Sequence, residues 1–453
     1  MLEKDLYFKP ECCEKTAAGL FYSDSFSRWA LTDSAGNVVA QPDYVPDDLL
    51  PYYASSGAFY GPSLHIIVVT LACNHACIYC RVAPVSEKEK GTAMTEETAR
   101  RSVEMAFNTP NDCLTIEFQG GEALLNWPAV SAAIIHAREL NRERQKDLRL
   151  AIVTNLSMMD EQKFRFLVEN GVSVCTSLDG PAMLHNKNRV YGNAGGHSKA
   201  LYWLDRLNEA AAGGGPDSLP SALMTTTRHS LSIPELIVEQ YRELGLGGIF
   251  IRPLSPIGHA GTVWDRIGYS PKEYKLFYAR SLKKVLDINK AGELFVERNA
   301  ALFARKLFDF ENPNYLDLKS PCGASTGQLA YNWNGDIYTC DEGRMLSNSG
   351  DEYFRLGSVY EDSFKSIIRK PLAIRLIASS LTELRQPMCS RCPSSLYCRV
   401  PPVYNYITQG NIHGNMAANE RCRLFRQVYD MLSEKNSVPE NAAIFRQWSE
   451  TYE

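Results

Sequence analysis

Cys73-Asn-His-Ala-Cys77-Ile-Tyr-Cys80 follows closely on the apolar run Ile66 to Leu71. The segment Ile66-Ile67-Val68-Val69 is β-branched and unbroken, the pattern of a strand buried on both faces in a parallel sheet. The three cysteines therefore fall on the loop leaving the strand's C-terminal end, where α/β folds place their chemistry. Three thiolates at this spacing converge on one metal centre and leave a fourth position unfilled. A structural zinc site takes four protein ligands. A cubane iron–sulfur cluster on three cysteines instead presents one iron to an exogenous ligand. A zinc knuckle or a reduced thiol cluster is the plainer alternative.

The chain has 453 residues, which predicts two domains and a small appendage. An apolar content of 45% is ordinary for a globule with a substantial core. The net charge of −4 gives no electrostatic case for nucleic acid or an anionic membrane as partner. No run approaches the roughly eighteen apolar residues of a membrane span, and Met1-Leu-Glu-Lys-Asp lacks the layout of a secretory signal. The expected location is cytoplasmic. Most of the thirteen cysteines sit in tight groups, which points to metal or redox chemistry in a reducing compartment.

Three regions are expected: an appendage at 1–62, an α/β domain at 63–310 and a loop-rich domain at 311–453. In the first, short strands are predicted at 19–22, 28–32 and 37–39 around the turn Asp33 to Gly36. It is read as an extension packing on the main domain or as a peptide-docking module. Cys12 and Cys13 are adjacent, and stand as a free pair or as a donor to a distant cluster. In the second region, strands are expected at Ile66–Thr70, Leu114–Phe118, Leu148–Thr154, Val172–Ser177, Ala222–Thr226 and Ile249–Arg252. Amphipathic helices such as Thr95–Asn108 and Trp127–Arg144 lie between them. Six such βα units predict a partial (β/α)6 barrel, opened on one side to admit a large substrate. Cys113 and Cys175, beside or within strands, are read as buried structural thiols.

The second strand ends in Glu117-Phe-Gln119-Gly120-Gly121-Glu122. Two glycines permit close backbone approach to a ligand, and the carboxylate accepts hydrogen bonds from an ammonium. Thr154-Asn155 and Arg252-Pro-Leu-Ser-Pro256 also end strands on the same face; Asn155 either lines the pocket or caps the next helix. Taken together, the cysteine loop with Tyr79 before its last cysteine and the Gly-Gly-Glu turn closely resemble the radical S-adenosylmethionine superfamily. The resemblance implies a [4Fe–4S] cluster on Cys73, Cys77 and Cys80, its open iron chelated by S-adenosylmethionine. Reductive cleavage then gives a 5′-deoxyadenosyl radical that takes hydrogen from substrate. It also implies cofactor contacts at Tyr79, Gly120, Gly121 and Glu122. From Ser177-Leu-Asp179-Gly-Pro181 and the following His185 to Arg189, it adds Ser177 and Arg189. Asp179 is open to a plain turn-forming role.

After Glu311-Asn-Pro-Asn-Tyr315 a second cysteine set begins: Cys322, Cys340, Cys389, Cys392, Cys398 and Cys422. It resembles the C-terminal extension called SPASM, whose seven cysteines hold auxiliary clusters; at the expected seventh place stands Pro402. Cys389, Cys392, Cys398 and Cys422 are enough for one closed [4Fe–4S] cluster. Cys322 and Cys340 remain as a pair, completing an atypical second cluster with another donor or binding none, so one or two auxiliary iron–sulfur clusters are expected. A zinc ribbon is the alternative. Asp341 follows Cys340 directly, and by resemblance to sulfatase-maturating relatives is the catalytic base, with Glu342 as substitute.

Phe118 to Glu122, Thr176 to Pro181, Leu223 to Thr227, Arg252 to Pro256 and Tyr404 to Gly410 resemble the maturases of the His-Xaa-Ser system and their cyclophane-forming cousins. The resemblance implies oxidative cross-linking of a ribosomally made precursor peptide with loss of two hydrogens, fed by a low-potential donor such as flavodoxin or ferredoxin. Two alternatives stand beside it: formylglycine formation on sulfatases, and a non-catalytic iron–sulfur electron carrier.

Overall fold

A computed structural model describes residues 61–451 apart from 82–84, 87–89, 193–194, 213–219, 310–318 and 399, together with four strands between 12 and 40. Those four strands, Cys12–Thr16, Gly19–Ser23, Trp29–Thr32 and Val38–Ala40, pair antiparallel in sequence order. Three of them match the expected positions; the strand carrying Cys12 and Cys13 was not expected.

The main sheet has nine strands. Six are the expected parallel ones: β1 (Leu64–Val68), β2 (Cys113–Gln119), β3 (Asp147–Thr154), β4 (Val172–Ser177), β5 (Ser221–Thr225) and β6 (Ile251–Arg252). The remaining three are β7 (Gln328–Tyr331), β8 (Asp336–Tyr338) and β9 (Arg355–Ser358). The spatial order is β6-β5-β4-β3-β2-β1-β7-β8-β9. Each βα unit thus adds one strand on the same side of its predecessor, winding an α/β partial barrel that ends at β6. At the other edge β7 pairs parallel to β1, and β8 and β9 continue antiparallel. The C-terminal region, read as loop-rich, therefore extends the barrel sheet itself.

Helices between the strands start where the sequence caps them. α1 (Glu96–Phe107) is capped by Thr95, whose side chain accepts from Thr98 N, and carries Glu96 and Glu97 in its first turn. α2 (Trp127–Arg144) has proline in its first turn and ends at Gln145 with φ 51°. In β2 the residues Leu114, Ile116 and Phe118 are fully buried, whereas Thr115, Glu117 and Gln119 between them are half-buried. The same alternation recurs at Ala151 and Val153, at Cys175 and Ser177, and at Leu223 and Thr225. One face of the sheet is thus sealed by helices while the inward face lines an accessible groove. This corrects the reading of two thiols: Cys113 begins β2 on that inward alternation and is exposed, and Cys175 is half-buried. Among the described residues no helix is long and apolar enough to cross a membrane.

Candidate active site

The cysteine loop is zipped to the end of β2 through backbone. Gly121 N donates to Thr70 O and Glu122 N to Ala72 O, both at 2.8 Å. A Cβ on Gly121 would stand 2.3 Å from Ala72 O, and one on Gly120 2.7 Å from Thr70 O. Both glycines are thus required by the approach of the cysteine loop's own backbone, a demand the sequence reading assigned to a ligand.

Glu122 is buried, and its carboxylate accepts from Thr154 Oγ1 at 2.6 Å, Leu124 N at 3.0 Å and Asn155 N at 2.8 Å. Burial raises its pKa, against these three bonds. A carboxylate offers about four acceptor positions, so three internal donors leave Oε2 one for an ammonium. Asn155 does not cap the next helix; Asp160 does. The Asn155 amide donates to Asn74 Oδ1 at 3.0 Å and accepts from Ser157 N at 2.9 Å, while Asn74 donates to Ser157 Oγ at 2.7 Å. Leu156 between them holds φ 59° while fully buried, a left-handed strain that fixes how this strand end meets the cysteine loop.

Asp179 is the hub of the opposite wall, and fully buried. It accepts from Tyr79 Oη at 2.8 and 2.9 Å, Asn188 Nδ2 at 3.1 Å, Arg189 Nε at 3.2 Å and Thr225 N at 3.2 Å. The Arg189 guanidinium lies over the Tyr79 ring and reaches Cys77 Sγ at 3.9 Å. Burial favours neutral arginine, but the Asp179 carboxylate overrides it and holds Arg189 charged. Arg189 also pairs with Cys77 through backbone. Tyr79 and Arg189 thus brace the loop from behind, and Ser177 stands half-buried at the end of β4.

Cys73, Cys77 and Cys80 are half-buried and none is in a disulfide. Burial pushes Cys73 and Cys77 up to about 12, with Arg189 opposing at Cys77. Thiols held this way ionise when a metal arrives, so loading releases protons. Among the described residues no three His, Cys, Asp or Glu side chains close around a single ion. Three cysteines on one loop fit a cluster with one exchangeable iron.

In the C-terminal region Cys389 and Cys422 are buried in an apolar nest with Val400, Tyr404 and Met416, with Cys398 packed against it. Cys392 N donates to Cys389 O at 3.0 Å, which places the half-buried Cys392 one turn from the nest. Cys340 is buried and within electrostatic reach of Cys322, apart from that set. Cys340 also caps the short helix α3 (Asp341–Ser347) by accepting from Gly343 N.

Asp341 is buried and accepts from Arg344 Nε at 2.8 Å. Glu342 pairs with Arg81, the residue after Cys80, at 3.1 Å, which ties the C-terminal region to the cysteine loop. A second tie runs from Arg421 to Ser255 Oγ at 2.5 Å. The sequence reading missed Glu117 on the groove face of β2. Burial raises its pKa and the charge of Asp341 adds to this, against a 2.5 Å bond from Gln119 Nε2 and the charge of Arg252. An acid in the middle of a parallel strand is itself a signal, since a carboxylate so largely withdrawn from water seldom lacks a task.

Residues 67–213 match the radical SAM superfamily, and residues 322–393 match SPASM, an iron–sulfur cluster-binding domain. The cysteine-type anaerobic sulfatase-maturating enzyme of Clostridium perfringens (strain 13) is 28% identical over 345 residues, 74% of this chain and 87% of that protein. Among solved structures, anSMEcpe with bound AdoMet and peptide superposes with a TM-score of 0.67 at 17% identity, covering 85% of this chain and all of that one. Streptococcus suis SuiB bound to precursor peptide SuiA gives 0.58 at 13% identity, covering 90% and 98%. The fold is a radical SAM partial barrel with a C-terminal SPASM domain. The cofactors are S-adenosylmethionine, the radical SAM [4Fe–4S] cluster and SPASM auxiliary clusters.

Proposed function

We propose that this radical S-adenosylmethionine enzyme holds a ribosomally made precursor peptide in the groove of its open barrel and cross-links two of its residues, with loss of two hydrogens. The observation that carries the reading is the row of half-buried inward residues on β2 to β5, which leaves the groove open along its length. Relatives of the same fold are described with peptides bound, which supports a peptide as the occupant.

Cys73, Cys77 and Cys80 would hold the cluster, and Gly120, Gly121, Glu122, Asn155 and Ser177 the S-adenosylmethionine, with Tyr79 and Arg189 bracing them. Bound together, these groups supply a radical that abstracts hydrogen. The chain's part is positional: the Asn74–Asn155–Ser157 contacts and the Asp179 hub fix the loop, and groove residues decide which side-chain hydrogen is presented. Asp341 takes the proton released as the product forms, with Arg344 orienting its carboxylate. Cys389, Cys392, Cys398 and Cys422 would hold the auxiliary cluster that accepts the departing electron. Within this reading, the finer identity is a cyclophane-forming maturase of the His-Xaa-Ser type.

A second reading is formylglycine formation, favoured by the 28% identity to a sulfatase-maturating enzyme along most of its length. The test incubates reconstituted enzyme with the short peptide encoded in a neighbouring reading frame and, separately, with a sulfatase-derived cysteine peptide. A product two hydrogens lighter with a new carbon–carbon link supports cross-linking; an aldehyde on the sulfatase peptide alone supports the second reading. Asp341→Asn should keep cofactor cleavage while product falls by about a hundredfold; unchanged product removes Asp341 from the chemistry.

A further inference from the structure

A guanidinium is withdrawn from water between the C-terminal thiols and the barrel. Arg421 directly precedes Cys422 and is only 5% exposed. Burying a charge is costly unless its hydrogen-bonding groups are met. Arg421 donates to the Ser255 hydroxyl at 2.5 Å, and Ser255, fully buried, lies three residues beyond the end of β6. The guanidinium carbon also lies over two rings, 5.3 Å from the centroid of Tyr404 and 5.2 Å from that of Phe425. Tyr404 in turn belongs to the nest that holds Cys389 and Cys422. One aromatic ring therefore joins the buried cation to the thiol nest.

The backbone holds cation and thiol together. Arg421 and Cys422 stand in the first turn of the helix Glu420–Asn436, whose cap Asn419 accepts from Cys422 N at 2.9 Å. Asn419 is itself buried and fixed, donating from Nδ2 to Asn405 Oδ1 at 2.9 Å. A helix begins at the positive end of its dipole, so its first turn disfavours a cation and favours an anion. Arg421 and the dipole thus both add positive potential where Cys422 places a thiolate. The surroundings screen that potential poorly, since Val400, Tyr404 and Met416 around the thiols are buried.

We propose that the buried charge of Arg421 makes the C-terminal cluster easier to reduce, and so a better acceptor for the electron that leaves as product forms. The inference rests on the reading that Cys389, Cys392, Cys398 and Cys422 hold an electron-accepting cluster. A cluster on thiolates is anionic and gains a further negative charge on reduction, so a nearby positive charge that water does not screen favours the reduced form. The substrate-derived radical loses one electron to it, and Asp341 takes the proton. No bond to Arg421 is made or broken. Arg421 acts on the cluster through its charge, held in place by Ser255 and the two rings, and is thus a positioning residue, not a catalytic one.

The test reads a reduction potential, with no turnover needed. Full-length Cys73→Ala/Cys77→Ala/Cys80→Ala protein, reconstituted anaerobically, is titrated with dithionite in the presence of redox dyes and followed by electron paramagnetic resonance. Loss of the signal in Cys422→Ser identifies it as that of the C-terminal cluster. In this background Arg421→Gln should lower the reduced-to-oxidised ratio at fixed potential about tenfold, equivalent to about 59 mV for one electron. Arg421→Lys, which keeps a charge, should restore the ratio to within about threefold of the parent. Arg423→Gln removes a 52% exposed charge paired with Glu420, and should change the ratio by less than about twofold. An unchanged ratio in Arg421→Gln overturns the proposal, and so does an equal shift in Arg423→Gln. If Arg421→Gln sheds the C-terminal iron, recovery of both iron and ratio by the lysine variant supports the role of charge. Loss of iron in both variants makes Arg421 a packing residue and overturns it. A parent protein without C-terminal iron overturns the cluster reading, and this proposal with it.

Discussion

Cys73, Cys77 and Cys80 lie within one loop and are all half-buried, whereas Cys389, Cys398 and Cys422 come from two separate segments and meet in an apolar nest, with Cys392 one turn from Cys389. The first set packs on the barrel core through Tyr79, Cys77 and Cys80 and is oriented by polar wiring: the Gly121–Glu122 backbone zip, the Asn74–Asn155–Ser157 contacts and the Asp179 hub. Tyr404, Met416 and Val400 pack the second. Polar wiring sets a geometry while leaving an opening for a ligand; apolar packing closes a site and excludes water. Three thiols on a partly open loop and a second group of thiols in an apolar nest are the division of labour that the proposed reacting centre and electron relay require.

Removing the hub should break this contrast most strongly. Asp179→Asn leaves Arg189 charged and buried without its carboxylate, which typically destabilises by about 3–5 kcal/mol. Urea unfolding should report that loss, and iron on the barrel loop should fall while iron in the C-terminal nest is kept. Equal loss from both sets would mean that the two are not separately supported.

A smaller effect provides a baseline that touches neither set. His65 on β1 is fully buried against Tyr331 Oη and Pro62 O, and burial lowers its pKa from 6.5 to about 4. It is therefore neutral in the fold, while the unfolded chain takes up a proton below pH 6.5. Its contribution to stability is fully present above pH 6.5 and is lost as the pH falls towards 4. A shift of that size corresponds to roughly 3 kcal/mol. Thermal unfolding between pH 7 and 4 should show this slope, and His65→Asn should lessen it while the buried His75 and His185 keep the remainder; an unchanged slope would place the acid sensitivity elsewhere.

The six parallel strands were legible because their signals are local: β-branched runs between capped helices. What escaped was set by contacts across long sequence separations. Asp179 reads as a turn residue until Tyr79, a hundred positions earlier, and Thr225 are seen to donate to it. Arg344 and Asp341, three apart, gave no sign of being a buried pair. Gln328–Tyr331 lacks the length of a core strand, and joins the barrel only because β1 offers it a parallel edge. Cys113 looked like core because thiols usually are, but alternation along β2 puts it on the groove face with Thr115 and Glu117.

The central claim is that the two cysteine sets hold separate clusters with separate tasks. The most direct measurement is the iron content of anaerobically reconstituted Cys73→Ala/Cys77→Ala/Cys80→Ala protein, paired with a dithionite-driven assay for 5′-deoxyadenosine. About four fewer iron atoms per chain than wild type, no deoxyadenosine, and C-terminal iron retained are predicted. Deoxyadenosine from the triple variant, or wild-type protein that takes up zinc and cleaves no S-adenosylmethionine, would contradict the account.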